Sequence, residues 1–126
     1  MRKMTTEQKL KVITKAATDK KAEDIQTLDL QGRTLIADYF VVCSGNSDVH
    51  IKAIVDGILD KLGDRGMKHP RVEGYAQSKW VLIDAGDVVA HIFASDEREF
   101  YDLEAMWRNV EATLEAERPA ISENTE

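Results

Sequence analysis

The chain has 126 residues, 43% of them hydrophobic and 32% charged, with a formal net charge of -6 and a pI near 5.1. That composition fits one small soluble domain of residues 1–118, and the single cysteine, Cys43, excludes an internal disulfide or a thiolate-rich zinc site built from this chain alone. No uncharged stretch approaches the roughly 18 apolar residues of a membrane span, and Met1 to Lys9 is too polar for a signal peptide, so a cytoplasmic location is expected.

From Thr6, the apolar residues Leu10, Ile13, Ala16 and Ala17 recur at helical spacing, which predicts a first helix ending near Lys21. Ile25 to Leu30 reads as a short strand of mixed polarity, followed by a turn at Gln31-Gly32-Arg33. Tyr39-Phe40-Val41-Val42-Cys43 is a continuous aromatic and β-branched run, the signature of a central strand covered on both faces. Ser47 or Asp48 can cap the next helix by accepting a hydrogen bond from its first-turn N–H groups. Ile51, Ile54, Val55, Ile58 and Leu62 form the clearest helical stripe in the chain, with Gly63 or Gly66 as its stop.

Met67 to Gln77 is loop-like, with room for a short strand through Arg71 to Tyr75. Trp80 to Ile83 and Val88 to Phe93 are strands, and Asp84-Ala85-Gly86-Asp87 between them has the chemistry of a tight antiparallel hairpin turn. On the first of these strands Val81 and Ile83 can fill the core while Trp80, Leu82 and Asp84 face the other way, so Trp80 reads about equally as a core residue or as an exposed anchor. Ser95 or Asp96 opens a last helical region whose stripe is Phe100, Leu103, Trp107, Val110 and Leu114, and Pro119 ends it. Residues 119–126 lack the apolar content to offset the entropy of ordering and are expected to form a disordered acidic tail. The fold class is α/β: a mixed sheet of four or five strands flanked by about three helices.

Charge bears on partners. Residues 22–110 carry nine basic against sixteen acidic side chains, whereas residues 1–21 carry seven basic against two acidic. Nucleic-acid affinity comes largely from neutralising phosphates with Lys and Arg, so the acidic body disfavours direct DNA or RNA reading and suits a partner with a basic surface.

Each candidate for chemistry competes with a plainer reading. Ser44-Gly45-Asn46-Ser47-Asp48 joins a buried strand to a helix N-terminus, where an anion is favoured, but it lacks the spaced glycines of a dinucleotide site and the Lys of a P-loop. A turn plus helix cap fits it better. Asp84 and Asp87, with Asp96 beyond, offer carboxylates to magnesium for nucleotidyl transfer, yet aspartate is also a routine turn residue. His50, His69 and His91 form no local ligand motif; His91 shares a strand face with Val89 and Phe93, as a packing histidine would. Cys43 reads as core, where burial lowers thiol reactivity. What remains is recognition: Trp80 beside Lys79, and Tyr101 and Trp107 among many charges, have the aromatic-anchor and charged-rim composition of interfaces. Trp107 lies on the helical stripe and reads as core.

Several blocks in order then match one family. Asp38 to Ser47, Glu73-Gly74, Trp80 to Val89, and Phe100 to Trp107 resemble the ribosomal silencing factor family, also called Iojap-like proteins, over about residues 5–110. The resemblance implies a nucleotidyltransferase-like fold without demonstrated transfer chemistry, with no catalytic residues, metal or cofactor. It implies a translational repressor that binds ribosomal protein fourteen of the large ribosomal subunit and sterically blocks small-subunit joining under nutrient limitation. A part in large-subunit biogenesis also follows. The contact surface is expected on Glu73, Lys79, Trp80, Asp84, Arg98, Tyr101, Leu103 and Glu104, with Trp80 as the hot spot. The alternatives are a magnesium-dependent nucleotidyltransferase or nucleotide-binding protein, and a generic dimeric adaptor. A homodimer is compatible with either an apolar sheet face or a helix stripe buried by self-association.

Overall fold

Thr5 and Gln8 close a reciprocal cap on the first helix: the Thr5 hydroxyl accepts from the Gln8 N–H, and the Gln8 side chain accepts from the Thr5 N–H. This T-x-x-Q pattern is legible in the sequence and fixes the start of α1, Thr6–Asp19. The structure, a computed structural model, describes residues 4–32 and 37–95. The expected last helix beyond Ser95, with its Trp107, and the expected tail at 119–126 lie outside them, so the described helices number two.

The helix α1 buries Ile13, Ala16 and Ala17, the stripe its periodicity predicts. It ends slightly earlier than expected, because Lys20 caps it and Lys21 turns to φ 62°. The strand β1, Glu23–Asp29, follows, mostly exposed along its length. Next, β2, Tyr39–Gly45, is buried from Phe40 onward, as a continuous apolar run requires when both faces are covered. Ser47 provides the cap of α2, Asp48–Asp64, by accepting from the His50 N–H. The helix runs through Gly63, and the left-handed residue past its end is Gly66, at φ 99°. Ile51, Ile54, Val55, Ile58 and Leu62 are all fully buried, each contributing about 2 kcal/mol of hydrophobic stabilisation.

The remaining strands are β3, Arg71–Glu73, β4, Trp80–Asp84, and β5, Val88–Ala94. They complete a five-stranded sheet of order β1-β2-β5-β4-β3. Pairing is antiparallel except for β2 with β5, which are parallel and joined through a crossover that contains α2. The middle place thus belongs to β5; β2, expected to be central, is interior but second in order. The β4–β5 hairpin forms as expected, with the Ala85 N–H donating to the Val88 carbonyl and Gly86 at φ 91° in the turn.

Each sheet face has its own apolar cluster. Val41, Cys43, Val81, Ile83, Ala90 and Ile92 pack against α1 and α2 on one side. Phe40, Val42, Val89 and Phe93, with Leu30 and Ala37, form the second cluster on the opposite side. Glu73, Trp80 and Asp84, three of the candidate contact residues, belong to that second side.

Candidate functional site

Strand alternation and register decide which side chains meet. On β4, Val81 and Ile83 are buried while Trp80, Leu82 and Asp84 are not, as the alternation predicts. Cross-strand partners share a face, so Trp80 lies opposite Phe93, Leu82 opposite His91, and Asp84 opposite Val89. On the other flank β3 sets Glu73 opposite Leu82 and Arg71 opposite Asp84. Three of the sequence-predicted contact residues, Glu73, Trp80 and Asp84, therefore lie on one sheet face, the one turned away from the two helices. Lys79 is exposed just before the strand, its carbonyl accepting from the Ala94 N–H. Arg98, Tyr101, Leu103 and Glu104 lie outside the described residues.

Trp80 is the exposed large aromatic of this face, with 44% of its surface accessible. Its ring stacks on Phe93 with centroids 5.0 Å apart, and its indole Nε1–H donates to His91 Nδ1 at 3.0 Å. His91 in turn packs edge-on against Phe40 at 4.4 Å. It is buried, and burial lowers its pKa from 6.5 to about 4. The ring is therefore neutral at physiological pH, so Nδ1 is the acceptor and Nε2 carries the proton.

The approach to Trp80 is shaped by backbone. Gly74 has φ 83°, and a Cβ there would lie 2.3 Å from the Trp80 carbonyl oxygen. The loop then turns at Ser78, itself at φ 56°, whose N–H donates to the Gly74 carbonyl and whose hydroxyl donates to the Tyr75 carbonyl. Gly74 was legible as part of a matched block, but its reason, close contact with the backbone of Trp80, needs the fold. Beside it, Arg71 holds Glu73 through two nitrogens on one carboxylate oxygen, and this pairing raises the Arg71 pKa.

The two aspartates weighed for magnesium have other employment. Asp87 accepts from the Lys9 ammonium at 2.7 Å and from the Thr6 hydroxyl, clamping the hairpin turn to the first turn of α1. Burial pushes its carboxyl up, but the hydrogen bonds from Lys9 and Thr6 and the Lys9 charge outweigh that, leaving the pKa lowered. Asp84 instead accepts from the Gly86 N–H at 2.9 Å. No group of three or more metal-ligating side chains occurs among the described residues. A cleft of about 630 Å³ beside this turn is lined by Lys9, Arg65, His69, Arg71 and Asp84, among others. Two of its cations, Lys9 and Arg71, are already paired with Asp87 and Glu73.

The Ser44 to Asp48 loop behaves as a turn and cap. Asn46 N–H donates to His50 Nδ1 at 3.0 Å, and His50 Nε2 meets the Lys20 carbonyl at 2.9 Å. A carbonyl only accepts and a backbone N–H only donates, so His50 is the Nε2-protonated tautomer, stitching α2 to the end of α1. Cys43 is buried in the core. No described helix is long and apolar enough to cross a membrane.

These features define a small α/β domain whose sheet presents an exposed tryptophan at one end of β4 on a face that also carries Glu73, Arg71 and Asp84. The family model for "Ribosomal silencing factor during starvation" matches residues 3–126. The Bacillus subtilis ribosomal silencing factor is 47% identical over 98 residues, spanning 78% of this chain and 83% of that protein. A solved Chromobacterium violaceum protein superposes with a TM-score of 0.77 at 35% identity, covering 82% of this chain and 87% of its own. A more distant relative, the mouse mitochondrial assembly of ribosomal large subunit protein 1, is 32% identical over 68% of this chain and 39% of its own length. The chain belongs to the ribosomal silencing factor family.

Proposed function

We propose that this protein is a cytoplasmic translational repressor that acts by occupancy: it binds the large ribosomal subunit through ribosomal protein fourteen and keeps the small subunit from joining. On this reading a nucleotidyltransferase-like scaffold serves as a docking platform, without catalysis, and the same contact gives it a part in large-subunit assembly. The observation that carries the reading is Trp80, an indole 44% exposed on a sheet face whose flanks are charged. An accessible tryptophan on the sheet face that also carries Glu73, Arg71 and Asp84, with Lys79 next to it in the chain, has the aromatic and charged composition of an interface hot spot with its orienting rim. The acidic body suits a basic ribosomal protein, and the mouse relative is named for large-subunit assembly.

In this account Glu73, Lys79, Trp80 and Asp84 form one part of the contact surface, and Arg98, Tyr101, Leu103 and Glu104 supply the rest. Trp80→Ala tests the assignment. A folded variant is expected to lose about 2 kcal/mol or more of binding to isolated large subunits, roughly a 30-fold rise in Kd. Unchanged affinity would remove Trp80 from the surface. Because the Trp80 ring covers Phe93 of the second core cluster and satisfies His91 Nδ1, the fold of the variant is checked by its urea unfolding before binding is compared.

A further inference from the structure

His91 is an anomaly on an apolar face. Its neighbours are Phe40 at 4.4 Å, Phe93 on its own strand, Val42 paired on β2 and Leu82 paired on β4. A leucine or phenylalanine would satisfy such a site. An imidazole there is 3% exposed, and its buried Nε2 has no hydrogen-bond partner among the described residues. A buried donor without an acceptor is a standing cost, and native proteins keep few of them. The other ring nitrogen shows what offsets it: Nδ1 accepts the indole Nε1–H of Trp80 at 3.0 Å.

We infer that His91 is a positioning residue for partner binding, its Nδ1 fixing the exposed indole of Trp80 in the orientation that docks. The inference rests on the docking role proposed for Trp80. A half-exposed tryptophan has two free side-chain torsions, and ordering them on binding weakens affinity. Here two contacts at different edges remove that freedom beforehand. Stacking on Phe93 at 5.0 Å sets the plane of the ring, and the hydrogen bond to His91 sets its rotation. The sheet holds the two partners rigidly, since Phe93 and His91 project from the same face of the middle strand two residues apart. The indole is thus presented from a fixed base, with its polar edge turned toward the buried His91 while 44% of the residue's surface stays exposed. The acceptor role requires a neutral ring, because a protonated Nδ1 would face the indole N–H donor to donor.

The test uses the two-tryptophan chain as it stands. Trp80→Phe identifies which indole N–H resonance belongs to Trp80, and ring ¹⁵N shifts of the unmodified protein report the His91 tautomer. An unprotonated Nδ1 with a protonated Nε2 is expected; the reverse tautomer overturns the inference without any His91 variant. His91→Phe, which keeps an aromatic ring but no acceptor, should move the Trp80 indole resonance upfield and raise its dissociation rate from large subunits about 10-fold, the worth of one such hydrogen bond. His91→Gln, whose side-chain oxygen can accept, should restore the resonance and bring dissociation back to within about twofold of the original. If Trp80→Ala weakens binding while folded His91→Phe leaves it or the indole resonance unchanged, this inference is wrong and the docking surface stands. If Trp80→Ala itself leaves binding unchanged, the docking surface is wrong, and the positioning role for binding goes with it.

Discussion

Burial of His91 makes the stability of this protein fall with pH well above the carboxylate range. Its pKa is lowered from 6.5 to about 4, and burial is the sole cause; no charged group contributes. The side chains packed around it, Phe40, Phe93 and Trp80, carry no charge. The unfolded chain therefore binds a proton near pH 6.5 that the folded protein refuses until about pH 4, and folding stability drops as pH falls through that window. For one group with these two values, linkage gives a loss of about 2 kcal/mol between pH 7 and pH 5, rising to about 3 kcal/mol at pH 4. Replacing the residue removes the titration, so His91→Gln should be less stable at neutral pH yet flatter in its pH response. The assay is urea unfolding of both proteins at pH 7, 6 and 5, with midpoints converted through a common m-value. Asp87, the carboxylate with a lowered pKa, does not titrate in this range and is common to both proteins. Equal losses in the two proteins between pH 7 and pH 5 would refute the account of His91 as a buried neutral ring.

Other expectations follow from contacts at the edges of the sheet. Gly74→Ala would place a methyl group 2.3 Å from the Trp80 carbonyl oxygen at a positive φ, so it should cost about 2 kcal/mol or more, seen in urea unfolding, and alter tryptophan emission. Asp87→Asn leaves Lys9, with only 14% of its side chain exposed, without its counter-charge. A loss of about 1–2 kcal/mol is expected in the same assay. Because the folded pKa of Asp87 lies below its ordinary 3.8, that difference should be fully present above pH 4 and vanish as the pH falls through the lowered value. A gap between the two proteins that persisted in strong acid would contradict the clamp.

The parts of the fold that sequence made legible are those set by local periodicity. The α2 stripe from Ile51 to Leu62, the run of β2 from Tyr39 and the hairpin around Gly86 each follow from spacing within fewer than twenty residues, and each forms where expected. The alternation of β4 likewise puts Trp80, Leu82 and Asp84 on the face opposite Val81 and Ile83, but the 44% exposure of Trp80 there was not legible. What stayed hidden depends on pairings distant in sequence. Nothing near Asp87 announces that it anchors Thr6 and Lys9, some eighty positions earlier, and that partnership decides what its carboxylate does. His91 was readable as a packing histidine, but not as the acceptor for Trp80, because cross-strand register sets that meeting and the ring's rotamer completes it. The same holds for sheet order: local runs give the strands, and only the parallel pairing of β2 with β5 puts β5 in the middle.

The central claim is silencing by occupancy, and sedimentation tests it most directly. Purified large and small ribosomal subunits are run through a sucrose gradient with and without a stoichiometric excess of this protein. The account predicts that the protein co-migrates with the large subunit and that the joined particle is lost. Joined particles persisting undiminished at low or moderate salt, with the protein left at the top of the gradient, would contradict it.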